Sequence, residues 1–252
     1  MHNAAFRAMG LDWVYVAFEV APGQVAEAVA GARALGVGGL SVTIPHKAAV
    51  AVAVDELSSA ARAIGAVNTV VTAAAGRLRG ENTDGDGFLA SLADEGFDPA
   101  GRRCLVVGAG GAARAVVHAL AGAGATEVVL VNRSPARAQE VAALAGAVGR
   151  VGSPADVAHA DLVVNATPLG LAGGMVDILP IDVERLGPGQ LVVDLVPNPL
   201  VTALMAEARR RGATAAGGLG MLVHQGALAF ELWTGLPAPT DVMRSAAVDA
   251  LQ

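Results

Sequence analysis

The feature that most constrains this chain is a β-rich run, Arg103-Cys104-Leu105-Val106-Val107, that passes without a break into Gly108-Ala109-Gly110-Gly111-Ala112-Ala113 and then into a helical pattern. Strand, glycine turn and helix in that order mark a parallel sheet, whose strands need helical crossovers to return to the same edge. The alternation continues along the chain. Strand-like runs follow at 127–131, 161–165 and 191–195, with helical patterns at 111–123, 135–144 and 200–211. In the first third, 13–20, 38–43, 68–73 and 77–82 read as strands, 22–35 and the residues after Lys47 as helices. A helix starts at Asp84, whose side chain suits a helix N-terminus. A long apolar helix covers 221–234, and Pro237 and Pro239 precede a last one. The pattern predicts an α/β protein of two domains, with right-handed crossovers in a parallel sheet. The expected bounds are 84–217 for a Rossmann-type nucleotide-binding domain and 1–83 plus 218–252 for an α/β catalytic domain to which the C-terminal helices return.

Gly108 to Ala113 fits the G-x-G-x-x-G/A fingerprint in its proper context. Gly108 would make the tight turn, Gly110 would let a pyrophosphate approach the backbone, and Ala113 would let helix and sheet pack closely. A dinucleotide is therefore expected on Gly108, Ala109, Gly110, Gly111 and Ala112, over the helix N-terminus. The end of the second strand chooses the cofactor. NAD sites usually place a carboxylate there, whereas this chain has Asn132-Arg133-Ser134 and then Arg137. Guanidinium groups and short polar side chains suit a 2′-phosphate, so NADP is expected. The same residues also suit a plain helix start with Ser134 as its cap. Asn165-Ala166-Thr167-Pro168-Leu169-Gly170 ends the next strand at the carboxyl edge, where α/β sheets bind ligands, although these residue types equally favour turns.

Composition narrows the partners. A net charge of −6 argues against nucleic acid. The single cysteine, Cys104, excludes a disulfide within the chain and a thiolate zinc site, and reads as a small buried hydrophobe. No apolar stretch approaches about 20 residues, so no membrane span is expected. No signal-peptide pattern opens the sequence, and the expected compartment is the cytoplasm. Lys47 is the only lysine beside sixteen arginines. A lysine amine can give or take a proton where arginine cannot, and Lys47 follows a strand-like run through Ser41-Val42-Thr43-Ile44-Pro45-His46 as an active-site loop would. Asp84, in Asn82-Thr83-Asp84-Gly85-Asp86-Gly87, is its natural partner. Asp84 and Asp86 lack a third oxygen ligand at metal spacing, and no metal site is expected. His46 and His224 read as structural, and Tyr15 as a packing residue.

With these motifs in hand the chain resembles the shikimate dehydrogenase family. The matching segments are 41–47, 65–69, 82–84, 108–113, 132–137, 165–170 and Gly218-Leu219-Gly220-Met221-Leu222-Val223-His224-Gln225, in family order over nearly the whole chain. The resemblance implies reversible NADPH-dependent reduction of 3-dehydroshikimate to shikimate, on the route to chorismate and aromatic amino acids. It makes Lys47 the catalytic lysine and Asp84 its partner. It gives Thr43, Asn68 and Gln225, with Lys47 and Asp84, contacts to the substrate's hydroxyl groups, and adds Thr167, Leu195, Gly218 and Met221 to the cofactor set. The implied partner is a small-molecule substrate, and the implied state a monomer or homodimer.

Two departures stand out. The family carries a strand and a Ser-x-Ser-Pro segment just before the His2-Asn3 of this chain, and those serines bind the substrate carboxylate in relatives. The expectation is that translation starts upstream of Met1; a chain complete as given is expected to bind substrate weakly. Pro197 also stands where relatives usually carry a tyrosine that touches the substrate. Two rivals remain open: a dehydrogenase of quinate or a related cyclic polyol acid, and a weakened NADP-binding homologue with a sensory or vestigial role.

Overall fold

The computed structural model describes residues 1–171 and 181–251. The chain forms two compact units, Met1–Asp84 with Val223–Asp249, and one built on Gly85–Leu222.

The first stretch runs α1 (His2–Ala8), α2 (Val25–Ala34), β1 (Gly39–Ser41), α3 (Lys47–Ala53), β2 (Glu56–Leu57), α4 (Ser59–Ile64), β3 (Thr69–Thr72) and β4 (Leu78–Glu81). The four strands form one mixed sheet in the order β1-β3-β4-β2, antiparallel except for the β2–β4 pair. Val25 and Val29 of α2 and Val50 of α3 bury with Val67, Val70 and Leu78 to form its core. Helix α4 has the caps its sequence dictates: the Ser58 hydroxyl accepts from the Ala61 amide, and Gly65 closes it in the left-handed conformation.

Residues 13–20 are not a strand. A strand needs a neighbour as well as a pattern, and none of the described strands pairs with this segment. Its backbone finds side chains instead. The Tyr15 amide donates to Asn3 Oδ1 at 2.7 Å, and Asn3 Nδ2 donates to the Tyr15 carbonyl at 2.8 Å. The His46 ring bonds the Val20 carbonyl at 2.8 Å. Tyr15 packs on His2, with ring centroids 4.6 Å apart. Helix α2 also starts later than Pro22, at Val25, because residues 22–23 form a turn ahead of it.

The second unit carries α5 (Asp84–Asp94, its first residue in the other unit), β5 (Arg103–Val107), α6 (Gly111–Gly122), β6 (Glu127–Val131), α7 (Pro135–Ala142), β7 (Gly149–Val151), β8 (Leu162–Asn165), β9 (Leu191–Asp194), α8 (Ala203–Arg210) and β10 (Thr214–Gly217). All six strands are parallel, in the order β10-β9-β8-β5-β6-β7. Alternate residues of β5 feed opposite layers: Cys104 and Val106 join one apolar cluster, Leu105 and Val107 the other. Burial on both faces explains the unbroken apolar runs. The chain leaves β5 toward β6 and β7, then returns on the other side through β8, β9 and β10. The switch point therefore lies between β5 and β8, and ligands of such sheets bind outside the carboxyl ends there. Helices α9 (Leu219–Thr234) and α10 (Thr240–Leu251) complete the chain. The α9 residue Trp233 donates to the Val70 carbonyl at 3.0 Å, and Gly39 leaves its indole room that a Cβ would fill.

Candidate functional site

In the first unit, backbone bonds lace three loops together. The Val42 amide donates to the Asn68 carbonyl at 2.7 Å, Val67 to the Lys47 carbonyl at 2.9 Å, and Asn68 to the Glu81 carbonyl at 3.1 Å. These bonds place Lys47, the first residue of α3, beside Asp84, the first residue of α5. Lys47 Nζ donates to Asp84 Oδ2 at 2.5 Å, and the two side chains are only 16% and 5% exposed. A charge-assisted bond sheltered from water keeps strength that an exposed pair loses.

The second Asp84 oxygen is also engaged. Asn68 Nδ2 lies 2.9 Å from Asp84 Oδ1, 2.9 Å from Thr83 Oγ1 and 3.3 Å from Gln225 Oε1. An amide nitrogen has two hydrogens, so Asp84 and Thr83 take them and Gln225 is the longest of the three. The Asp84 amide donates to Asn82 Oδ1 at 3.1 Å, and Asn82 Nδ2 donates to the Ala66 carbonyl at 2.9 Å. Of the sequence-derived substrate residues, Lys47, Asn68, Asp84 and Gln225 thus form one cluster, while Thr43 lies exposed on the loop before α3. Asn82 and Thr83 were legible only as neighbours of Asp84, although the polar run Asn82-Thr83-Asp84 directly after the inner strand β4 was a signal for this bracing.

In the second unit, Gly108 follows β5 with φ +112°, a conformation that favours glycine, and a Cβ there would stand 2.8 Å from the Ala166 carbonyl oxygen. Gly110 is exposed, with open space where its Cβ would be, and precedes α6. Ala113 is wholly buried against the sheet. A cradle of this shape admits a phosphate to the first amides of α6. Ala109, Gly111 and Ala112 are half-buried along it. At the end of β6 the Asn132 side-chain amide donates to the Ser134 carbonyl at 3.0 Å. Ser134 precedes α7 without a side-chain capping bond, and Arg133 and Arg137 are exposed. No carboxylate among the described residues is ion-paired with either arginine. That corner fits an anionic 2′-phosphate. Thr167 lies across the switch point from Gly108, its methyl 3.1 Å from where a Gly108 Cβ would stand. Gly218 approaches the Leu195 carbonyl more closely than any side chain would allow, and Met221 is buried against the same core. Cys104 is fully buried, and burial pushes its thiol up to about 12, so it is inert packing.

A glycine turn at the switch point of a fully parallel sheet defines the class: a Rossmann-type α/β protein shaped for a dinucleotide. Comparison with known proteins narrows this. Residues 1–70 match the shikimate dehydrogenase substrate binding domain, 91–168 the shikimate / quinate 5-dehydrogenase domain, and 218–248 the shikimate 5'-dehydrogenase C-terminal domain. The chain is 52% identical over 96% of its length to a shikimate dehydrogenase (NADP(+)) of Moorella thermoacetica, of which it covers 85%. It is similar to the shikimate 5-dehydrogenase of Thermus thermophilus solved with NADP(H) and shikimate, with a TM-score of 0.92 and 39% identity, covering 99% of this chain and 93% of that one. It is also similar to a quinate dehydrogenase of Corynebacterium glutamicum solved with NAD, with a TM-score of 0.88 and 34% identity, covering 98% and 92%. The chain belongs to the shikimate dehydrogenase family.

Proposed function

We propose that this protein catalyses the reversible NADPH-dependent reduction of 3-dehydroshikimate to shikimate, with Lys47 and Asp84 as its catalytic pair. The observation that carries the reading is the sheltered Lys47–Asp84 bond of 2.5 Å, braced by Asn68. When bound, NADPH supplies the hydride that the ketone carbon accepts. The carbonyl oxygen then needs a proton, and Lys47 as an ammonium gives one from Nζ; in the opposite direction the neutral amine takes it back. Asp84 keeps Nζ in place through Oδ2, and Asn68 fixes the carboxylate through Oδ1. Thr43, Asn68 and Gln225 bring the donors and acceptors that a polyol needs, and a site of this kind rejects analogues that leave its groups unpaired. The first unit is then the substrate and catalytic domain. Gly108 to Ala112, Arg133, Arg137 and Thr167 of the second hold the cofactor. The protein acts as a monomer or homodimer on a small molecule, in the cytoplasm. No helix among the described residues is long and apolar enough to cross a membrane.

A second reading, oxidation of quinate, is supported by the match of residues 91–168 to the shikimate / quinate 5-dehydrogenase model and by the likeness to a quinate dehydrogenase solved with NAD. Initial rates with shikimate and NADP⁺ against quinate and NAD⁺ separate the two. Shikimate-dependent NADP⁺ reduction that disappears in Lys47→Met supports the first reading. Turnover confined to quinate and NAD⁺ moves the assignment to the second, and full activity in Lys47→Met removes the proposed proton donor.

A further inference from the structure

Strands β8 and β9 carry the same apolar triplet and end in a polar residue, Leu-Val-Val-Asn165 and Leu-Val-Val-Asp194, which face each other across the ladder. Asp194 is 0% exposed, and no cation is ion-paired with it among the described residues. A carboxylate buried without a counter-ion is costly unless donors surround it. Three do: Thr202 Oγ1 at 2.6 Å, Asn165 Nδ2 at 2.8 Å and the Val196 amide at 3.2 Å.

The Asn165 carboxamide has two possible orientations, and only one is compatible with this neighbour. With Nδ2 toward Asp194, the other hydrogen reaches the Leu169 carbonyl at 3.2 Å. Oδ1 is then turned to Thr167, where it accepts from the amide at 3.0 Å and from the hydroxyl at 2.6 Å. The reversed carboxamide would set two acceptors 2.8 Å apart at Asp194 and two donors against the Thr167 amide. Thr167 in turn faces the Gly108 turn across the switch point.

We infer that Asp194 is a positioning residue for cofactor binding: its carboxylate sets the orientation of Asn165, and Asn165 holds the Thr167 wall of the glycine-turn crevice. The inference rests on the reading that this crevice holds NADP. Burial pushes the Asp194 carboxyl above the usual carboxylate range, against the three bonds from Thr202, Val196 and Asn165.

The test is NADP binding by calorimetry, with thermal unfolding and the KM for shikimate measured on the same proteins. Asp194→Ala removes the carboxylate that fixes the Asn165 carboxamide. It is expected to weaken NADP about tenfold, the worth of one lost hydrogen bond, with the shikimate KM within about twofold. Asn165→Ala removes the hold on Thr167 and is expected to weaken NADP at least as much, and the double variant no further than Asn165→Ala alone, because Asp194 acts through Asn165. Wild-type affinity in Asp194→Ala overturns the inference. So does a double variant whose loss is the product of the two single losses, or a loss shared equally by NADP and shikimate with a lowered Tm, which would mark Asp194 as structural only. A wild-type protein that binds no NADP overturns the cofactor reading along with it.

Discussion

Lys47 was conspicuous in the sequence by composition alone, as one amine among guanidiniums, and it opens α3 beside Asp84, where the proposed reaction would give that oddity a chemical use. Lys47→Met is expected to lower kcat by about 10³-fold, the usual worth of a positioned proton donor, while leaving NADP binding intact. Lys47→Arg should fare no better, because a guanidinium does not release its proton at neutral pH; steady-state rates check both. His2 is a different kind of residue. It is buried among Phe6, Tyr15 and Trp233 with Nδ1 unpartnered, and burial lowers its pKa from 6.5 to about 4. The folded protein therefore holds His2 neutral where an unfolded chain would take up a proton. Its stability is full above pH 6.5 and falls as the pH drops toward about 4, by about 3 kcal/mol in all. Urea unfolding across that window should show His2→Phe gaining on the wild type as pH falls; parallel curves would refute it. Nothing in the sequence marked His2 as buried, since histidine is intermediate in burial and its neighbours show no apolar pattern that would settle it.

At the scale of elements, the second unit was the more legible. Its strands are buried on both faces, so each reads as an apolar run closed by a polar or glycine residue, and β5, β6, β8 and β9 start and end within a residue of the pattern. The short β7 and β10 were not visible, because three or four residues with glycine, arginine and alanine carry no alternation. The misread segment at 13–20 shows the limit from the other side: its pattern is strand-like, but pairing is a property of two segments. The turn after β5 carries its own prediction. Gly108→Ala would force a side chain into a left-handed conformation and against the Ala166 carbonyl. It is expected to cost about 1–3 kcal/mol of stability and to abolish measurable NADP binding, with chemical unfolding and calorimetry as the checks.

For the whole molecule, the cofactor corner should be visible as selective stabilisation. At about 100 times its Kd a ligand adds about 2.7 kcal/mol to the folded state, which is roughly 5–10 °C in Tm for a protein of this size. NADP is expected to give that shift and NAD much less, and Arg133→Ala with Arg137→Ala should bring the two cofactors level. Equal shifts in the wild type would show that the exposed arginines do not read the 2′-phosphate. The sequence by itself determined the α/β class, the glycine turn, the choice of arginine over a carboxylate at the end of β6, and the candidacy of Lys47. Each of these is written in local residue order, where strand, turn and helix chemistry act. Only the tertiary structure decided which side chains meet. Asn68 and Gln225 are 157 residues apart and lie 3.3 Å from each other, and the buried Asp194 finds Asn165 only because β8 and β9 align in register. Contacts of that kind depend on strand order and register, which no local pattern encodes.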